Sequence, residues 1–360
     1  MKKTLIALAV LGAAAGVAHA QSNVTIYGVV DTGYIKETGR DIRMGENINN
    51  RIGFRGSEDL GGGLKATFEL EKRFDLFDGS AGNTNTAGYK ASWGGANSGV
   101  DWDGAANVGL AGEWGRVRFG RVNELTTETI RKFDPFYQYG VGSMLLSSQR
   151  SARINNTARY DSPKWSGFSF GLSYSLGQNT KRGGAAYGVN WDNDGYAVNL
   201  SYDNGPVMLT GNWSRVADSD NSSVWNLGAA YKFGPARVSL LYERTRDKGF
   251  KLGTANTATN NIFGAHDGRQ NTWLLGLEWD IGPGQLDASA QYARVRPDSV
   301  QRSSLYKYAL GYTYNLSKRT SAYAQVAYTK FDDKGVGAAL TGIPGRESMT
   351  GFQVGMTHKF

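Results

Sequence analysis

The sequence predicts an all-β fold, a 16-stranded antiparallel β-barrel whose strands cross a membrane. Apolar and polar residues alternate along most of the chain, and a period of two is typical of strands. Short and long connections also alternate between these segments, as they do in transmembrane barrels. The polar faces carry many Arg, Lys, Glu and Asp residues, which cannot fill a dry core without a large desolvation cost.

The first twenty residues predict a secretory signal peptide. Lys2 and Lys3 precede a run of small apolar residues, and Ala18-His19-Ala20 matches a small-x-small cleavage site. We therefore expect residues 1–20 to be removed and residues 21–360 to form the barrel. The chain contains no cysteine, so we expect neither disulfides nor thiolate metal sites to stabilise it after export.

Alternating segments follow one another from the start of the predicted mature chain to its end. The 49 Gly residues and the many aromatic residues, with only 7 Pro, favour short strands joined by turns. No window has a convincing helical apolar period, so we expect no amphipathic helix. The clearest alternations lie at residues 23–34, 51–57, 64–74, 116–120, 157–161, 168–175, 196–202, 225–232, 308–314, 323–330 and 348–360.

Seven short connections and eight long ones separate the sixteen predicted strands. The short ones are rich in Gly, Pro, Asp and Asn, as hairpin turns require. Many strands run to about ten residues, the length that crosses a bilayer at a tilt. The short connections are residues 57–63, 111–115, 162–167, 203–206, 234–236, 282–285 and 317–319, and the long ones are 38–49, 77–104, 125–155, 178–194, 217–223, 248–270, 297–303 and 333–347.

Soluble β folds explain these features less well than a barrel does. A propeller would repeat a blade pattern about every 40 residues, and we find no such repeat. A sandwich would need an inner face with little charge, whereas a closed barrel both removes exposed edges and tolerates a charged interior. The last strand places Phe352, Val354, Met356, His358 and Phe360 on one face and ends on an aromatic residue, which is characteristic of barrels in bacterial outer membranes.

Five segments of the chain resemble one family. They are NVTIYGVVDTGY (23–34), NNRIGFRGSEDLGGGLKATFELE (49–71), GEWGRVRFGRVNE (112–124), NTARYDSPKWSGFSFGLSYS (156–175) and the terminal strand. Together they resemble the Gram-negative trimeric diffusion porins of the neisserial and β-proteobacterial type, across the whole mature chain. The enteric porins' Pro-Glu-Phe-Gly tetrapeptide is absent from the corresponding stretch, residues 133–137.

The resemblance implies a subunit of sixteen strands in a homotrimer with three pores. It implies short periplasmic turns, long external loops and a third external loop, residues 125–155, that folds into the barrel and narrows it. We expect a bacterial outer-membrane location after export. The expected partners are membrane lipid, lipopolysaccharide, and the small hydrophilic solutes and ions that diffuse through the pore, and nucleic acid is not among them.

Strand parity assigns the charged side chains to the inside of the barrel. Ile52 and Phe54 point outward, which turns Arg51 and Arg55 inward, whereas Lys72 and Arg121 have outward parity and Arg121 therefore requires a bulge. The predicted basic lining is Arg51, Arg55, Lys65, Arg73, Arg116, Arg118, Arg153 and Arg159. The predicted acidic residues of the lining or constriction are Glu69, Glu71, Glu124, Glu128 and Asp134.

Cations outnumber acids on this predicted lining, which favours anion passage. Any single one of these arginines could instead be a solvated charge at the rim or one partner of a structural ion pair, with no role in ion selection. The alternative hypothesis for a channel is a porin that is specific for sugar or phosphate. A sugar channel would need aromatic residues facing inward, yet Tyr and Trp here mostly have outward parity.

Catalytic chemistry finds little support in the sequence. No two of His19, His266 and His358 have metal-ligand spacing. The His266-Asp267 pair lacks a serine nucleophile in a recognisable context. We therefore expect no enzyme activity, no cofactor and no metal site, and a barrel enzyme is the least supported alternative.

Overall fold

Sixteen long antiparallel strands close into a barrel among the residues that the computed structural model describes. Those residues are 23–77, 79, 102–145, 153–177, 194–215, 217, 222–247, 268–297, 302–334 and 342–360. The predicted fold is confirmed, and the predicted signal peptide lies outside the described residues. A seventeenth, three-residue strand lies in the first long connection.

The strands have the following bounds. They are β1 Asn23–Glu37, β2 Arg43–Gly45, β3 Arg51–Gly61, β4 Leu64–Arg73, β5 Ala106–Gly112, β6 Gly115–Asn123, β7 Arg153–Asp161, β8 Phe168–Ser175, β9 Gly195–Asn204, β10 Val207–Arg215, β11 Ser223–Phe233, β12 Ala236–Asp247, β13 Gly268–Ile281, β14 Gly284–Pro297, β15 Ser303–Asn315, β16 Thr320–Phe331 and β17 Ser348–Lys359. In the third long connection, helix α1 spans Leu125–Phe133.

Each predicted short connection joins two strands that pair with each other, from β3–β4 to β15–β16. The turn after β3 uses three glycines with positive φ, Gly61 (86°), Gly62 (60°) and Gly63 (80°), a conformation that side chains with a Cβ rarely adopt. The strand ends that border the long connections lie at the opposite end of the barrel. Of the predicted long connections, all but 38–49 fall partly outside the described residues, namely 77–104, 125–155, 178–194, 217–223, 248–270, 297–303 and 333–347.

The barrel is apolar on the outside and polar on the inside. On β13, Gln270 and Thr272 are 2% and 1% exposed, whereas Trp273 and Leu275 are 40% and 53% exposed. The same alternation recurs on neighbouring strands, with apolar and aromatic side chains outward. A wide apolar outer surface of this kind suits contact with lipid. The amides and hydroxyls of the inner surface need polar partners and therefore point away from the lipid.

A bulge interrupts the ladder between β6 and β7. The register shifts between Gly120 and Val122, which accounts for the outward parity of Arg121. The Arg121 guanidinium donates to the carbonyl oxygens of Asp103 and Gly104 and to Asn155 Oδ1 at 2.5 Å. The bulge that the sequence requires at this position is confirmed.

The two ends of the described chain meet in the sheet. β1 pairs with β17 over nine register positions, from Val29 opposite Lys359 to Glu37 opposite Gly351. The Phe360 ring covers Gly28 so closely that a Cβ there would lie 2.2 Å from a ring carbon. This contact explains why a glycine stands at that point of an otherwise apolar strand face.

Helix α1 contradicts the expectation that the chain contains no amphipathic helix. Its apolar side chains Ile130 and Phe133 are fully buried, and they pack with Met144 against Leu241 and Leu274 of the inner barrel wall. The helix covers only nine residues, which is why its apolar period is hard to distinguish from loop sequence. No helix in the described part of the chain is long and apolar enough to cross a membrane.

Candidate functional site

The predicted basic residues of β3 and β4 occupy one face of a strand pair. Register places Arg51 opposite Arg73 and Arg55 opposite Glu69, and Lys65 lies closer to the short-turn end. Arg55 and Lys65 are exposed, whereas Arg73 is buried. We call the eight predicted cations on β3, β4, β6 and β7 the basic wall.

A buried carboxylate organises the upper part of the basic wall. The Glu71 side chain lies 2.9 Å from Arg153, 3.6 Å from Arg51 and 3.7 Å from Arg73. The Tyr27 hydroxyl also donates to Glu69 (3.1 Å) and lies 3.4 Å from Glu71. Because β4 and β7 are separated by two other strands, the contact between Glu71 and Arg153 runs across the inside of the barrel. It therefore places this face on the lumen side.

A second charge cluster lies on β6 and β7. The Asp161 carboxylate accepts hydrogen bonds from the guanidinium groups of Arg118 and Arg159, each with an N···O distance of 2.6 Å. Arg159 also donates to the carboxylate of Glu128 in helix α1 at 2.6 Å. Burial by itself raises the pKa of Glu128, but the charge and hydrogen bond of Arg159 bring it below its ordinary value. Glu128 is therefore ionised at neutral pH and ties the helix to the wall. Arg116 lies opposite Asp161 in the register.

Two predicted constriction acids serve the third loop itself. The Glu124 side chain caps helix α1 by accepting from the Thr127 N–H at 2.9 Å. The Asp134 carboxylate accepts from the backbone N–H groups of Phe136 (3.0 Å), Gln138 (2.9 Å) and Met144 (3.0 Å). Glu124 is 5% exposed and Asp134 only 1%. Both carboxylates thus hold the backbone of the third loop, whereas Glu128 reaches the wall. A role for these acids at the constriction stays a prediction.

The third loop is fixed to the inner wall on the far side of the barrel. Its backbone meets side chains of β14 to β17 at four points: Leu145 N to Gln291 (2.8 Å), Val141 N to Gln353 (3.1 Å), Gly142 N to Gln325 (3.4 Å) and Lys307 Nζ to the Ser143 carbonyl (2.6 Å). Sequence reasoning missed these glutamines. Their only signal is inward parity, which the glutamines share with other polar residues of the lumen.

Tyr139 connects the loop to the basic wall. Its hydroxyl lies in the field of the Arg51 guanidinium, and the Arg131 guanidinium carbon lies 5.9 Å from its ring centre. Burial by itself raises the pKa of the phenol, but Arg131, Arg51 and Arg73 lower it to about 8. The sequence gives no sign of this role, because the loop carries several aromatic residues at irregular spacing.

The described lumen thus has two unlike sides. Strands β3, β4, β6 and β7 supply guanidinium and ammonium groups, and the third loop is fastened against β10 to β17. A closed barrel with a lipid-compatible outside, a charged inside and an inward-folded loop defines a diffusion channel of an outer membrane.

Comparison with known proteins specifies the family. The chain belongs to the Gram-negative porins, whose family model matches residues 7–334. It is 34% identical to "Outer membrane porin protein 32" of Delftia acidovorans over 100% of both chains. It is 31% identical to an outer membrane porin protein of Bordetella pertussis, covering 92% of this chain and 94% of the relative. Its location is accordingly the bacterial outer membrane.

A solved structure gives the same result for the fold. The chain matches the structure titled "Anion-selective porin from Comamonas acidovorans" with a TM-score of 0.72 and 28% identity. The match covers 94% of this chain and 100% of that one. The predicted family and fold are confirmed.

Proposed function

We propose that this porin is a passive, anion-preferring channel for small hydrophilic solutes and ions, and that it has no enzyme activity. The observation that carries the preference is an imbalance in pairing on the basic wall. Glu71, Glu128 and Asp161 are each bound by at least one arginine. Arg55, Lys65 and Arg116 have no salt bridge to an acid within the described residues.

The pairing decides the field that a permeating ion meets. A carboxylate held between guanidinium groups is largely neutralised at a distance, whereas an unpaired cation attracts anions along a water-filled path. Lys132 on helix α1 is also exposed and adds positive charge from the loop side. The related structure that is titled anion-selective supports the same direction of preference.

We propose the homotrimer as the functional assembly. The outward faces of β3, β4 and β5 carry Phe54, Phe68, Val108 and Leu110 but, among their described residues, no Tyr or Trp. Lipid-facing barrel surfaces place those two residues at the membrane interfaces. A face that lacks them suits contact with a second subunit, and the adjoining strands β1 and β17 would extend it.

Planar-bilayer recording tests the proposal. Each insertion of purified protein should raise the conductance by a step that later closes in three equal substeps. In a KCl gradient, the reversal potential should lie nearer the equilibrium potential of chloride than that of potassium. A reversal potential nearer the equilibrium potential of potassium would overturn the role of the unpaired cations. Single, indivisible steps would contradict the trimer.

A further inference from the structure

A cluster of arginines that form no salt bridge within the described residues lies on the outer surface of the barrel, away from the pore. The register aligns Arg215, Arg246, Arg269 and Arg296 in one row across strands β10 to β14, through Ser223 on β11. The next row toward the membrane contains Arg244 and Arg294. We call these six residues the arginine band.

The arginine band faces outward, not into the lumen. The residues that flank it on the same strands, such as Glu243, Thr245, Gln270 and Val295, are buried on the lumen side. Arg244, Arg246 and Arg269 are exposed, and Arg294 and Arg296 are half-buried. The band therefore belongs to the surface that meets the membrane or its outer boundary.

Aromatic residues define the depth of the band. Directly below it, the register aligns Tyr242, Trp273, Tyr292 and Tyr306, with ring centres 4.9 to 5.6 Å apart. Rows of Tyr and Trp mark the level of lipid headgroups on a barrel. Below them come Leu240 and Leu275, which are 55% and 53% exposed. The arginine band thus stands just above the acyl-chain boundary, at the end that carries the long connections.

Like charges placed directly opposite each other across strands are destabilising. Arg246 faces Arg269, and Arg269 faces Arg296, at a strand spacing of roughly 5 Å. None of the six arginines forms a salt bridge with an acid in the described part of the chain, and the outward faces of β10 to β14 carry no acid there. The Nε atoms of Arg215 and Arg296 are buried with no hydrogen-bond partner among the described atoms.

The band also contains a recess. A depression of about 470 Å³ is lined by Trp213, Trp225, Arg244, Arg246 and Arg269, among other residues. Guanidinium groups bind phosphate in a bidentate fashion, and each arginine can serve a separate oxygen. The neighbouring indole rings offer apolar surface to a sugar or to the root of an acyl chain.

We propose that the arginine band is a binding site for the phosphate groups of a phosphorylated glycolipid in the outer leaflet, of the lipopolysaccharide type. The phosphates lie between the rows of arginine and relieve their repulsion, while the acyl chains lie along the aromatic and leucine rows below. The site rests on the proposed membrane orientation, with the long connections external, but it does not depend on what the pore conducts.

The test compares lipid binding with channel function on the same protein. Native mass spectrometry of the detergent-solubilised full chain, with bis-phosphorylated lipid A as the probe, measures binding. The variant Arg246→Gln/Arg269→Gln/Arg296→Gln should bind at least tenfold more weakly, and its reversal potential in a KCl gradient should be unchanged. The matched control Lys164→Gln/Lys318→Gln/Arg319→Gln removes three cations at the short-turn end and should bind as the parent does.

Three results would overturn the proposal. They are equal binding by the two triple variants, equal binding of lipid A and its dephosphorylated form, and complete displacement by millimolar inorganic phosphate, which would indicate a simple anion site. If the triple variant fails to form a barrel, Arg269→Gln alone should weaken binding about threefold, and an unchanged affinity would again refute the site. A cation-preferring parent channel would refute the proposed pore selectivity but leave this site intact.

Discussion

Replacing Arg55 by Gln tests whether unpaired cations of the basic wall set the selectivity. Arg55 is exposed on the inner face of β3 beside the Tyr27 ring, whose centre lies 5.2 Å from its guanidinium carbon. An ion passing about 6 Å away in water gains or loses roughly 0.5 kcal/mol at about 0.1 M salt. The change has opposite signs for chloride and potassium, so their local ratio changes by about 1 kcal/mol, or roughly fivefold.

Other cations remain in the pore, so the permeability ratio of chloride to potassium should fall about two- to fivefold. Reversal potentials in a tenfold KCl gradient measure that ratio, and the fall should shrink in more concentrated salt because screening increases. Lys72→Gln is the matched control, since Lys72 lies on the neighbouring strand with outward parity. Equal effects of the two substitutions would refute the assignment of faces, and no effect of Arg55→Gln would refute the importance of unpaired charge.

Three further predictions concern the loop and its contacts. Glu71→Gln leaves Arg73 and Arg153 buried without their counter-charge and should destabilise the barrel by about 3–5 kcal/mol, which a lower midpoint of thermal unfolding in detergent would reveal; an unchanged midpoint would contradict the role of Glu71. The pKa of Tyr139 is lowered to about 8, so raising the pH from 7 to 9 adds a negative charge beside the basic wall and should reduce anion preference, and Tyr139→Phe should abolish that pH step. If the Phe variant keeps the step, another group is responsible. Deleting residues 136–143 removes the part of the loop held by Gln325, Gln353 and Lys307 and should raise single-channel conductance; unchanged conductance would mean that this segment does not narrow the pore.

The sequence predicts the barrel well because the alternation of side chains directly reflects the two environments of each strand. Arg51 and Arg159 could be assigned to the lumen from parity alone, since their neighbours Ile52 and Tyr160 are apolar or aromatic. The bulge at Arg121 could be inferred for the same reason, because a single extra residue reverses parity from that point on.

The third loop is where sequence reasoning reaches its limit. Glu124 and Asp134 look like constriction acids in the sequence, yet both cap backbone N–H groups inside the loop. Whether a loop carboxylate faces water or its own backbone depends on local turns, which alternation does not encode. The anchors Gln291 and Gln353 depend on contacts between residues 146 and 212 positions apart, and no local pattern signals such distant pairs.

The pairing of the first and last long strands has a consequence for how the molecule is made. Thr357 and Tyr323, near the end of the chain, donate to the carboxylate of Asp31, near its start, across separations of 326 and 292 residues. These bonds cannot form until the whole chain has been synthesised and exported. Until then, two strand edges remain unpaired and open to aggregation. A chain that lacks its last strand therefore keeps both of these edges open, however many of the other strands have paired.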